Sequence, residues 1–361
     1  MDSFDAPSAG NNNTTKRNTF IPPSINCSAL LDGGSYAHYS PCPPNITSSL
    51  VSSPETPNIH IQPTPCALGI DEAGRGPVLG PMVYSAFYLP IELHRSLLAE
   101  EHHFDDSKVL TAEVRSSLMR SLCTPDHPLH NSCGWTTKVL SARDISSGML
   151  RPISAGAYNL NAQAIDATIE IIRGVVQERG INVKEVYVDT IGKPETHQAR
   201  LEQVFPGLKI TVAKKADSLY PCVSAASVCA KVTRDAALEL CYEHLVSGRK
   251  ISREEGETQG ASDDEQDGPV DWGSGYPSDS KCVGWLKREM DALFGWGNEC
   301  RFSWGTSKEL LEAKDRLRVD WPVEQDDNSN LLSQYFISGS SEAGDKNELR
   351  DWYGTRTSGI F

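Results

Sequence analysis

Long apolar runs are missing from this 361-residue chain, and no stretch approaches the roughly 20 residues that a membrane-spanning helix needs. The chain does not open with a charged segment followed by an apolar one, the pattern that marks secretion. A soluble, intracellular protein is the expectation, with no membrane partner. Ten cysteines are present, yet none form a C-x-x-C pair and few histidines lie near them. That spacing argues for reduced structural thiols rather than zinc or disulfides. No internal repeat is evident. Positive charge is also in deficit, with 34 Lys and Arg against 48 Asp and Glu and a formal charge of −14. This balance would oppose binding to a polyanion if it were evenly spread, but it is not. Residues 1–65 carry −2, residues 247–270 carry −4 and residues 322–361 carry −4, which leaves only −4 for the body. Four acids gathered at one site would account for that remainder, and a local basic surface stays possible.

The same segments set the expected domain organisation. Residues 1–65 are rich in Asn, Pro and Ser with few grouped apolar side chains, so a disordered N-terminal extension is expected. Residues 66–321 read as one catalytic-sized domain with a helical C-terminal part, interrupted by an acidic, disordered insertion at 247–270. Residues 322–361 form an acidic tail in which the cluster Leu331-Leu332-Ser333-Gln334-Tyr335-Phe336-Ile337 suggests a docking segment. It has the aromatic pair of a sliding-clamp box, but Ser329 stands where that box has glutamine.

Within the body, residues 68–71, 83–89, 134–140, 183–189 and 208–213 have the apolar content of strands. Apolar residues recur at three and four spacing from 158 to 179, ahead of Gly180, which predicts an amphipathic helix. Further helices are expected at 111–122 capped by Thr111, at 221–245 behind Pro221, near 280–293 and near 307–317. The helix-then-strand order at 158–189 implies a crossover and parallel pairing with the first strand. The fold class is therefore α/β, with a mixed central sheet flanked by helices.

The stretch Leu68-Gly69-Ile70-Asp71-Glu72-Ala73-Gly74-Arg75-Gly76-Pro77 is the most informative. A buried strand ends in two adjacent carboxylates, and a Gly-Arg-Gly turn follows. Acids at a strand end are common in solvated turns, but glycines let the backbone approach a ligand and Arg suits phosphate. The segment resembles the signature of type 2 ribonucleases H, the ribonuclease HII family, in the form of the eukaryotic catalytic subunit. Matching segments follow in order: Asp106-Ser107-Lys108, Tyr158-Asn159-Leu160-Asn161, Val188-Asp189-Thr190, Lys215-Ala216-Asp217 through Arg234-Asp235, Gly273-Ser274-Gly275-Tyr276-Pro277 and Arg301-Phe302-Ser303-Trp304. Together they cover residues 66 to 321.

The resemblance implies a ribonuclease H-like fold and an endonuclease that cuts the RNA strand of RNA/DNA hybrids and nicks duplex DNA 5′ of an embedded ribonucleotide. It assigns Asp71, Glu72, Asp189 and Asp217 as catalytic, metal-binding carboxylates. Hard oxygen ligands favour two Mg²⁺ or Mn²⁺ ions over zinc. Taken alone, Asp217 reads as a structural acid, since Asp commonly precedes or caps helices. Gly74, Arg75, Gly76 and Tyr276 are implied to recognise the ribonucleotide, whose 2′-hydroxyl distinguishes it from DNA. Without the resemblance, Arg75 reads as a surface ion-pair member and Tyr276 as a rigid turn residue. Lys108, Asn159, Lys231 and Arg234 are candidate phosphate contacts, the last two sharing a helix face. The adjacent His102 and His103 read as a solvated loop rather than a metal cluster. Two non-catalytic companion subunits, completing a heterotrimer, and a nuclear location are implied by the resemblance as well. A non-catalytic hybrid-binding scaffold of the same fold is the rival reading, though clustered acids beside phosphates give a pure binder nothing.

Overall fold

The structure, a computed structural model, describes residues 20–47, 63–104, 110–152, 156, 158–190, 192–254 and 271–313. Residues 1–311 form one compact unit, and residues 312–361 are a separate unit. In chain order the first unit comprises α1 (Cys27–Leu31), β1 (Tyr36–Tyr39), α2 (Pro44–Thr47), β2 (Cys66–Ala73), β3 (Met82–Pro90) and α3 (Leu93–Arg95). There follow α4 (Ala112–Cys123), α5 (Pro128–Ser132), β4 (Gly134–Leu140), α6 (Ala142–Met149), α7 (Leu160–Arg173) and β5 (Val183–Asp189). The last elements are α8 (Pro194–Val204), β6 (Lys209–Ala213), α9 (Pro221–Glu254), α10 (Ser280–Arg288) and α11 (Gly305–Leu311).

The strands make one mixed sheet in the order β1-β4-β3-β2-β5-β6. β1, β4, β3 and β2 pair antiparallel, whereas β2, β5 and β6 are parallel. The parallel β2–β5 pair is the one the helix-then-strand order implies, with α7 as the crossover. Each face of the sheet is covered. Leu68, Ile70, Tyr84, Val186 and Val188 pack with Ile171 and Ile172 of α7. On the opposite face Phe87, Leu89 and Trp135 pack with Val223, Ala225, Ala226 and Cys229 of α9. The small residues that begin α9 let it come very close to β2. A Cβ at Gly69 would stand 2.3 Å from the backbone carbonyl carbon of Cys222, so only glycine fits there.

Several sequence expectations need correction. Residues 20–47 are folded, not disordered. β1 adds an edge strand to β4, pairing Tyr36 with Val139 and Tyr39 with Thr136. Ser24 bonds Thr233 of α9 at 2.8 Å, Leu30 and Ile46 are buried, and the Arg179 guanidinium lies over the Tyr39 ring. The segment has too few apolar residues to fold alone, but it borrows its core from the body, which composition averaged over 65 residues conceals. The acidic insertion begins later than residue 247, because α9 continues to Glu254 on good helix formers such as Arg249, Lys250 and Arg253. The helices expected at 280–293 and 307–317 are shorter, ending at Arg288 and Leu311. The helix at 158–179 is α-helical to Arg173 and closes in a wider π turn over Gly174–Glu178. Lys108, the remainder of the insertion and the cluster at 331–337 lie outside the described residues.

The role of β1 can be checked directly. Deleting residues 1–47 exposes the β4 edge, so the shortened chain should melt roughly 5 °C lower and should self-associate. Calorimetry and light scattering measure both, and an unchanged melting temperature would reduce β1 to decoration.

Candidate active site

Side-chain alternation sends the two acids of β2 to opposite faces of the sheet. Asp71 shares the α9 face with Gly69 and is hydrogen-bonded by Ser227 of that helix; Glu72 shares the α7 face with Ile70 and lies opposite Tyr84 in the ladder. Both acids fall within β2, whose last residue is Ala73, and not beyond its end. The ladder places Ile70 beside Val188, so one residue further on Asp71 is the neighbour of Asp189 across a parallel pair. Asp189 accepts a hydrogen bond of 2.7 Å from the backbone N–H of Ala216. That bond ties the end of β5 to the short 3-10 turn Ala216–Ser218, which carries Asp217.

All four carboxylates, with Gly74, Arg75, Gly76, Lys231, Arg234 and Tyr276, line one cleft of about 960 Å³ along the C-terminal edge of β2, β5 and β6. Asp71 and Asp217 are 6 % and 3 % exposed, so these are buried acids and not solvated turn residues. Burial raises the pKa of Asp71, and the charges of Glu72 and Asp189 raise it further, against hydrogen bonds from Ser227 and the Glu72 N–H. Glu72 is raised by burial and by Asp189, with Arg75 opposing. These shifts record first the burial of the two acids and then the repulsion among neighbouring carboxylates.

The donor set suits a hard divalent cation. Among the described residues no group of three or more His, Cys, Asp or Glu side chains is arranged to hold a metal ion by itself. An open row of carboxylates is nevertheless what Mg²⁺ tolerates, because it keeps water ligands and completes its shell with substrate phosphate oxygens.

The Gly-Arg-Gly turn is held from beneath. Gly74 has φ +79°, and a Cβ there would lie 2.7 Å from the Pro81 carbonyl oxygen. Arg301 is fully buried and donates from Nη2 to the Gly74 carbonyl at 2.6 Å, from Nη1 to that of Arg75 at 3.0 Å and from Nε to that of Gly80 at 3.0 Å. Trp304 Nε1 donates to the Gly76 carbonyl at 3.0 Å beneath the same guanidinium, which lies 4.7 Å from the indole centroid. Arg75 donates to Asn161 Oδ1 on α7, not to an acid across the surface. The Tyr276 ring packs on Gly76, 3.1 Å from where a Cβ would be. Arg234 lies over that ring at 5.9 Å and donates to the Ser274 carbonyl at 2.7 Å.

Asn159 is not among the residues that line the cleft, although the next residue, Leu160, is. Its Oδ1 accepts from the N–H groups of Asn161 and Ala162, each at 3.0 Å, which makes it the N-cap of α7 and leaves its amide N–H₂ as the group for a phosphate. Conversely, Arg301, Trp304, Ser227 and Asn161 had no assigned role from sequence. An arginine flanked by Cys300 and Phe302 was a usable signal, since buried arginine is rare unless its donors are satisfied.

The family model for ribonuclease HII matches residues 68–253. The chain belongs to the ribonuclease HII family. A ribonuclease H2 subunit of Neurospora crassa is 52 % identical over 93 % of this chain and 94 % of its own. Its counterpart in Schizosaccharomyces pombe is 41 % identical over 87 % of this chain and 83 % of its own. The corresponding human protein is 40 % identical over 79 % of this chain and 87 % of its own. The mixed sheet with helices on both faces is accordingly the ribonuclease H-like fold. Within this ribonuclease HII chain, no described helix is long and apolar enough to cross a membrane.

Proposed function

We propose that this chain is the catalytic subunit of a type 2 ribonuclease H, cutting the RNA strand of RNA/DNA hybrids and nicking duplex DNA 5′ of an embedded ribonucleotide. The observation that carries the reading is the meeting, in one cleft, of acids from β2, β5 and the turn after β6 with a backbone turn locked by Arg301. In the hydrolysis, water adds to phosphorus, the bond to the 3′-oxygen breaks, and a 3′-hydroxyl and a 5′-phosphate remain. Asp71, Glu72, Asp189 and Asp217 would hold divalent ions, Mg²⁺ or Mn²⁺, which would supply water activation and charge stabilisation at the leaving oxygen. Ser227 orients Asp71, and the Ala216 N–H orients Asp189. Gly74, Arg75 and Gly76 offer backbone groups to the ribose 2′-hydroxyl, with Tyr276 packed against Gly76 as the second recognition element. Lys231 and Arg234 line the same cleft toward the phosphates, and Lys108 is retained as a further phosphate contact. The chain works with two non-catalytic companion subunits, a reading supported by the naming of its relatives as subunits of ribonuclease H2, and does so in the nucleus, as the resemblance implies.

The test uses the chain assembled with its companion subunits in Mg²⁺, given a duplex with one ribonucleotide and the same duplex in DNA alone. Cleavage 5′ of the ribonucleotide and nowhere in the DNA control is expected; cleavage of both or of neither rejects the reading. Tyr276→Phe removes one hydroxyl, and a lost hydrogen bond to substrate is worth about 1 kcal/mol. The kcat/KM for the single-ribonucleotide duplex, relative to that for a continuous RNA/DNA hybrid, should fall about fivefold. Unchanged selectivity would take Tyr276 out of recognition.

A further inference from the structure

The order of strands makes the C-terminal sheet edge a ruler. The Gly-Arg-Gly turn leaves β2 on its β3 side, the acids stand at β2 and β5, and beyond them, after β6, come Lys214 and Lys215. Neighbouring strands are about 4.8 Å apart, so these lysines stand about 10 Å from β2, on the far side of Asp189 from Tyr276. Helix α9 gives the same order: Ser227 meets Asp71, and Arg234, seven residues on, meets Ser274 and Tyr276, about 10 Å further along the axis. Lys214 and Lys215 precede its N-terminus.

Both lysines are exposed and line the cleft together with Arg115 of α4. Lys215 adopts φ +56°, a left-handed conformation uncommon for a long side chain. Arg115 uses Nη1 to hold the Leu110 carbonyl at 2.6 Å. Among the described residues none of the three forms an ion pair, in contrast to Arg234, which pairs with Asp235 at 3.1 Å. Two lysines that form no ion pair among the described residues thus border the cleft at the end opposite Tyr276, and Arg115, whose charge acts on Glu113, lines the same cleft from α4.

We infer that Arg115, Lys214 and Lys215 form a phosphate clamp for the DNA flank on the 5′ side of the nick. This rests on the proposed function: if Tyr276 and the Gly-Arg-Gly turn hold the ribonucleotide whose 5′-phosphate is attacked, the strand upstream of the cut must leave across the acids toward β6. A strand advances about 3.4 Å per nucleotide along the helix axis, so the clamp meets phosphates roughly three nucleotides upstream.

The experiment compares wild type with the double variant Lys214→Gln/Lys215→Asn, Asn being tolerant of the left-handed backbone, in the assembled enzyme. The substrates are single-ribonucleotide duplexes with both flanks long, with the 5′ flank cut to two nucleotides, or with the 3′ flank cut to two. With the long 5′ flank KM should rise roughly tenfold, and the slope of log binding against log salt should fall by about 1 per lysine. With the 5′ flank removed the penalty should shrink below about twofold, whereas trimming the 3′ flank should leave it intact. No penalty, an equal penalty on all three duplexes, or one that follows the 3′ flank overturns the clamp while leaving the proposed function standing. A wild type inert on every duplex overturns both.

Discussion

Asp189→Asn should hold cleavage of a single-ribonucleotide duplex to below roughly one thousandth of wild type, a loss on the order of that from removing a central electrostatic group, while binding in the absence of metal changes less than about threefold. Asn keeps the shape of the side chain and an oxygen able to accept the 2.7 Å bond from the Ala216 N–H. The turn bearing Asp217 should therefore stay in place, and the melting temperature should move little. What disappears is one negative charge beside Asp71 and Glu72, both of which have a raised pKa partly because Asp189 is ionised. The substitution thus separates two roles that a deletion would confuse. If the acid were there to position the turn, the amide would serve as well and cleavage would persist. If it is there to hold cation charge, the fold survives and turnover does not. Fluorescence anisotropy gives the binding arm and gel-resolved cleavage the other; retained turnover would remove Asp189 from catalysis.

The parts of this site that sequence discloses are those where local chemistry conflicts with local structure. Asp71 and Glu72 stand out because a core strand has no ordinary use for two acids, and Asp189 stands out in the same way after Val186-Tyr187-Val188. The parallel pairing of β2 with β5 was legible too, since a helix of the length of α7 between two strands leaves few other connections. What sequence conceals is anything settled by a partner distant along the chain. Asn159 reads as a phosphate contact in a matching segment, and its capping of two N–H groups through Oδ1 is settled only once α7 is built. β1 was invisible because its four residues, none of them fully buried, become a strand only when β4 offers an edge. Arg301 lies 226 residues from Arg75, whose carbonyl it holds, and no spacing rule connects them.

That distance is also why Arg301→Met should be the most damaging substitution outside the acids. Methionine fills much of the same volume without donors, so the carbonyls of Gly74, Arg75 and Gly80 lose their fork in a place water does not readily replace it. Each unsatisfied buried carbonyl costs about 1–3 kcal/mol, and the three together should lower the melting temperature by roughly 10 °C or more. The catalytic readout is more specific than the loss of stability. Freed from below, the turn can leave the left-handed conformation of Gly74, so the selectivity for ribonucleotide over DNA should fall further than cleavage of a continuous RNA/DNA hybrid, which offers a 2′-hydroxyl at every position. Arg301→Lys discriminates charge from geometry. It preserves a cation over Trp304, but a single ammonium on a flexible stem cannot address three carbonyls arranged for a planar fork. Its melting temperature should fall between those of wild type and Arg301→Met, with most of the selectivity already lost. A lysine variant with full selectivity would show that the positive charge alone holds the turn, and that the fork geometry is incidental to recognition of the ribose.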